Sequence, residues 1–163
     1  MRLSLFIVAL AVFSMTAAAQ DEVKPKKTPR RFGFDVDETT FPQKTPAEAM
    51  KSIGTALDRK RLDYMLAHMV DPKYVDYWVD RYKTVFAMGS DEAKGLLAFD
   101  RLVRETNLYY QDDPVLLREL RVFARDAEWT EDDGVAFGVV KTIAARKVYL
   151  RKIGDRWFLD NRQ

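Results

Sequence analysis

No cysteine occurs among the 163 residues. Its absence excludes a disulfide framework, thiolate catalysis, a lipidated N-terminal cysteine and cysteine-ligated metal sites. Histidine is almost as scarce, with His68 alone. A His-Glu-x-x-His zinc motif, a Gly-x-Ser-x-Gly nucleophile elbow and a glycine-rich phosphate loop are all missing. Neither sign of charge prevails, since 27 basic side chains meet 25 acidic ones. A dedicated nucleic-acid binder would carry a strong basic excess, so nucleic acid is not an expected partner. Beyond residue 19 no apolar run approaches the roughly 20 residues that cross a bilayer. No internal repeat is present. What the chain does specify is an address and a fold.

The address is at the N-terminus. Arg2 forms a short positive region, residues 3–13 are apolar apart from Ser4, and Ala17-Ala18-Ala19 places small residues where a signal peptidase reads them. Residues 1–19 are therefore expected to be a cleaved secretory signal peptide, with Gln20 as the first mature residue. The expected location is secreted or periplasmic. The alternative is an uncleaved anchor, at the short limit for a span and interrupted by Ser14 and Thr16. The remainder has the length of one domain and can build a core without staples.

Residues 20–44 read as a basic, proline-containing linker, expected to be poorly ordered. They hold Pro25, Pro29 and Pro42 with Lys24, Lys26, Lys27, Arg30 and Arg31. Such a segment buries too little apolar surface to order itself. Its charges suit either a solvated spacer or a tether to a membrane surface. Membrane contact is expected only through this linker or an uncleaved leader. Phe32, Phe34 and Phe41 stand out, because each offers a ring that could pack back onto the domain.

The domain, residues 45–163, begins sharply. Thr45-Pro46-Ala47-Glu48 combines an N-cap threonine, an N1 proline and an N3 glutamate, the signature of a capping box. Met50, Ile53 and Leu57 recur at helical spacing, and Leu62, Met65, Leu66 and Met69 continue a short second helix. Asp71-Pro72 opens a third, whose inner face reads Val75, Trp78, Val79, Tyr82, Val85 and Phe86, with Gly89 placed as its C-terminal cap. Ser90-Asp91-Glu92 starts a fourth helix running to about Tyr109, and Asp113-Pro114 a fifth running to about Val122. After Trp129 the character changes. Residues 135–143 and 146–153 read as strands, joined through the Gly154-Asp155 hairpin turn to a third at residues 156–160. Helices first and antiparallel strands last make an α+β domain.

At this point the chain resembles the nuclear transport factor 2-like superfamily. The likeness lies in helices opening with Thr45-Pro46-Ala47-Glu48 and in a terminal meander whose hairpin carries Gly154-Asp155-Arg156-Trp157. It implies helices packed on a curved C-terminal sheet as a cone. It does not imply one activity, since such folds include isomerases, dehydratases, cyclases and binding modules. With three clear strands the chain departs from the larger sheet of the family, though Glu128-Trp129 offers another.

Candidate residues follow two opposed interpretations each. His68 suits a general base near neutral pH, or a structural role late in a helix. Asp100 falls among Leu96, Leu97 and Val103, where a buried carboxylate would serve as an alternative base. Tyr74, Trp78 and Tyr82, with Tyr77 beside them and Tyr109 and Tyr110 at a helix end, would line a ligand pocket or simply pack. Asp35-x-Asp37-x-Thr39 imitates a phosphatase nucleophile motif but lacks the preceding buried strand, and Asp35, Asp37 and Glu38 make a poor cation site. Asp112-Asp113 and Glu131-Asp132-Asp133 sit where caps and turns want carboxylates. No metal or cofactor is expected. The function expected is an exported, non-catalytic domain of the cell envelope that binds a small molecule or an envelope protein. The alternatives are an isomerase- or dehydratase-type enzyme with a cone pocket, and a scaffold that dimerises through its sheet.

Overall fold

The computed structural model describes residues 30–143 and 146–161. The expected signal peptide and residues 20–29 of the linker lie outside the described residues. Five helices precede a four-stranded sheet: α1 (Pro46–Asp58), α2 (Leu62–His68), α3 (Pro72–Lys83), α4 (Asp91–Asp112), α5 (Pro114–Asp126), then β1 (Glu128–Asp132), β2 (Val135–Val139), β3 (Val148–Ile153) and β4 (Arg156–Asp160). The domain is therefore α+β, as expected.

Local chemistry sets the helix starts. Thr45 Oγ1 accepts from the Glu48 amide at 3.2 Å while Glu48 Oε2 accepts from the Thr45 amide at 3.1 Å, closing the capping box. Asp71, Ser90 and Asp113 accept from the amides of Lys73, Ala93 and Leu116 at 2.9, 3.2 and 3.0 Å. Helix ends follow the expectation less closely. α3 stops at Lys83, a turn earlier than the apolar periodicity suggests, so Val85 is 62% exposed instead of facing inward. α4 and α5 each run about one turn further, to Asp112 and Asp126.

The strands form an antiparallel meander in the order β1-β2-β3-β4. The segment expected as one strand over residues 135–143 ends at Val139, and Glu128–Asp132 supplies the fourth strand. Asp133 and Gly134, with φ of 41° and 74°, make the two-residue turn between β1 and β2. The register Ala136↔Leu150↔Leu159 places these side chains on the face that also carries Trp157. That face meets the helices. Met50, Ile53, Met65, Met69, Phe99 and Leu150 are among the most completely buried side chains. α1 approaches α5 so closely that a Cβ on Gly54 would stand 2.8 Å from Ala124 Cβ.

One correction concerns the linker. Residues 30–44, expected to be a spacer, fold onto the domain. Phe41 is 4% exposed and stacks on Tyr64 at 4.5 Å. Gln43 is 2% exposed, its Nε2 donates to the Trp157 carbonyl at 2.7 Å, and its own carbonyl accepts from the Trp157 amide at 2.9 Å. Phe32 stacks on Phe99 at 4.2 Å with rings 7° from parallel. One buried ring, Phe41, and two half-buried ones, Phe32 and Phe34, give this strap the apolar area that its mean composition conceals. The strap, with a bridge from Val70 to Leu159, covers the outer edge of β4.

Candidate functional site

A groove of about 750 Å³, open to solvent, is bounded by α3, by the start of α4 and by the turn of the strap. Each wall follows from local sequence. On α3, Val75 and Val79 are buried, and Asp76, Asp80 and Lys83 form the adjoining stripe at helical spacing. On α4, the N-cap at Ser90 fixes the first turn, so Asp91, Glu92, Gly95 and Leu96 face the same space. Gly95 lets the Lys83 stem cross α4, since a Cβ there would stand 3.2 Å from Lys83 Cε. Lys83 Nζ then lies 3.3 Å from Asp80 and 3.2 Å from Asp91, and these hydrogen bonds push its pKa up.

The third wall is the strap. Arg31 and Phe34 exchange backbone hydrogen bonds of 2.9 and 3.0 Å around Phe32 and Gly33. Both central residues have positive φ, 50° and 90°. A phenylalanine in this region is strained, and its stacking on Phe99 holds it there. Arg31 donates to Asp76 at 2.5 Å and to the Pro72 carbonyl at 3.2 Å, fastening the turn to the start of α3. Burial lowers the Arg31 pKa, against the attraction of Asp76 and Asp71. Desolvation against the strap raises the Asp76 carboxyl above its ordinary range, with Arg31 opposing. The floor is apolar, from Phe32, Val79 and Leu96, and the rim carries four carboxylates against Arg30 and Lys83. Such a surface suits a ligand with an apolar body and positive charge.

The expected site residues fall elsewhere. His68 is buried under the strap, and its Nε2 is 2.9 Å from the Phe34 carbonyl, to which the neutral ring donates. Burial lowers its pKa, more than the Phe34 hydrogen bond raises it, and Arg156 and Arg31 lower it further. Arg156 donates to Gln43 Oε1 and, at 3.0 Å, to the His68 carbonyl. His68 thus pins the strap to α2. Asp100 is not the buried base that its apolar neighbours suggested. It is exposed on α4, because Leu96 and Leu97 are themselves exposed at 42% and 47%. Neither residue lines the groove.

Tyr74, Trp78 and Tyr82 sit half-buried in the seam between α3 and α4, Trp78 lying 6.4 Å from Tyr74 and 5.6 Å from Tyr82. The Tyr82 hydroxyl donates to Glu105, and Arg101 lies 4.5 Å over its ring while bonding Glu105 at 2.7 Å. Desolvation and Glu105 push the Tyr82 phenol up to about 12. These residues lock two helices together and do not line the groove. Tyr109 is exposed beside Tyr110. Tyr110, whose phenol burial pushes up to about 12, lines a second groove of about 390 Å³ with Leu57, Asn107 and Arg121. Asp37 spends its carboxylate on the Thr40 amide at 2.9 Å, which lowers its pKa, and no cluster among the described residues could hold a metal ion.

The acidic groove was not foreseen. Its signals were the spacing of Asp76, Asp80 and Lys83 and the acidic first turn of α4, each ordinary for a solvated helix. No protein-family model, curated protein or solved structure matches the chain.

Proposed function

We propose that this is an exported, non-catalytic binding domain of the cell envelope, built on the nuclear transport factor 2-like plan, whose working surface is the groove between α3 and α4. The observation that carries this is the apolar floor of Phe32, Val79 and Leu96 beneath a carboxylate-rich rim. The order of helices and antiparallel meander, with the Gly154-Asp155 turn, supports the cone-fold assignment. Binding is favoured over isomerase or dehydratase chemistry because the two candidate bases face away from the groove, His68 toward Phe34 and Asp100 toward solvent. The ligand class is a cationic segment of an envelope protein or a small organic cation.

The test is fluorescence anisotropy with a labelled peptide of four lysines and one phenylalanine. Binding should weaken at least five-fold in an Asp80→Asn/Glu92→Gln double variant. Equal affinity for both forms would remove the groove from consideration. A dimeric scaffold is the second interpretation. It is favoured by Phe137, Tyr149 and the 40%-exposed Ile153 on the sheet face opposite Leu150. Sedimentation equilibrium of the mature chain decides it, a monomer at high micromolar concentration being the contrary result.

A further inference from the structure

The second groove has a chemistry of its own. It lies where the end of α1 and the turn after it meet the C-terminal turns of α4 and α5. Leu57, Leu62 and Leu117 give it an apolar wall. At about 390 Å³ it falls within the roughly 300–1,000 Å³ of small-molecule sites. The Asp58 carboxylate in its lining is occupied, accepting from Arg121 Nε at 2.7 Å. The charge left over is the Lys60 ammonium, which among the described residues joins no ion pair or hydrogen bond.

Lys60 stands there against local preference. The Arg61 amide donates to the Ala56 carbonyl at 2.8 Å and the Lys60 amide to the Leu57 carbonyl at 3.1 Å, so α1 ends in a Schellman turn. The left-handed position of that turn usually takes glycine, yet Lys60 holds it at a φ of 56°. A side chain kept where the backbone is strained points to a task beyond folding. The same bonds satisfy the last carbonyls of α1, which therefore do not compete for the ammonium. Tyr110 is an independent observation. Its ring packs against the core and burial pushes the phenol up to about 12, yet among the described residues its hydroxyl has no hydrogen-bond partner. Buried phenols ordinarily have one. A neutral hydroxyl in the groove lining is thus a donor without an acceptor. Asn107 and Gln111, one helical turn apart on α4, add carboxamide donors to the same lining.

We infer that this groove binds a small organic carboxylate with an apolar tail. Lys60 and the Tyr110 hydroxyl take the carboxylate, and Leu57, Leu62 and Leu117 take the tail. One lysine with neutral donors matches a single negative charge, not the nearly double charge of a phosphate monoester. The site is separate from the acidic groove and does not depend on it.

Octanoate is the probe, titrated into isotope-enriched residues 20–163 and followed by nitrogen–proton correlation spectra. Saturable shifts at Leu57, Lys60, Gln111 and Leu117, with Val79 and Gly95 unmoved, are the expected result. Octanol, which keeps the tail and lacks the charge, should bind at least ten-fold more weakly. Lys60→Gly removes the charge and the backbone strain together, so octanoate affinity should fall at least five-fold without a lower Tm. Tyr110→Phe keeps the ring and should weaken octanoate at least three-fold. Shifts that are absent, unsaturable or centred on Val79 and Gly95 would overturn the inference. So would equal binding of octanol, or unchanged affinity in either variant. Weaker binding by Lys60→Gly together with a lower Tm would mark Lys60 as structural and equally overturn it.

Discussion

His68 shows how burial assigns a residue its task. The ring that suited a general base in the sequence is enclosed under the strap and bonded to the Phe34 carbonyl. Its native pKa is lowered below the ordinary value of about 6.5. Between the two values the unfolded chain binds more protons, so stability is full above about pH 6.5 and falls as pH drops through it. Asp37, Glu105 and Asp126 are held below their ordinary values, so their stabilisation is lost only at more acid pH. Urea midpoints between pH 7.5 and 5 should therefore decline in the wild type and flatten in His68→Gln, whose amide keeps a donor for Phe34. Parallel curves would contradict this assignment. Phe41 supplies a second test at this scale. Its ring is buried against Tyr64, so Phe41→Ala should cost about 3–5 kcal/mol in denaturant unfolding. A cost near zero would return residues 30–44 to the status of a spacer.

Helix starts were legible because a cap is a local event, complete within four residues. Thr45, Asp71, Ser90 and Asp113 all act at the positions their sequence context indicates. Helix ends were not, because they are set by what the next element packs against. Val85 continues the α3 periodicity, yet the helix turns away at Lys83 toward the loop that feeds α4. The strap was half legible: Phe32, Phe34 and Phe41 stood out as rings that could pack back, but the prolines and lysines of residues 20–44 gave the segment the average composition of a spacer. The groove was hidden because its walls lie on separate helices and become one surface only when α3 pairs with α4. Helix pairing also makes a testable contact where α1 meets α5. Gly54→Ala gains roughly 1 kcal/mol of helix propensity but sets a Cβ 2.8 Å from Ala124. The clash should dominate, giving a net loss of about 1–3 kcal/mol and a lower Tm. Adding Ala124→Gly should recover most of it, and strictly additive effects would show that the contact is not shared.

At the scale of the whole molecule, near-neutral net charge conceals an uneven distribution. Four carboxylates gather on the rim of the α3–α4 groove, and the strap beside it is pinned by His68, Arg31 and Phe41. Much of the groove's attraction for a cation is exposed to solvent and screened by salt. Peptide affinity measured by anisotropy should accordingly fall several-fold between about 50 and 300 mM salt, and salt-independent binding would mean that the apolar floor alone is recognised. The most direct measurement is a nitrogen–proton correlation titration of residues 20–163 with the lysine–phenylalanine peptide. Shifts concentrated at Val79, Lys83, Gly95 and Leu96, and abolished in Asp80→Asn/Glu92→Gln, are the predicted result. Shifts confined to the sheet face of Phe137 and Ile153, or to the seam of Tyr74 and Trp78, would contradict it.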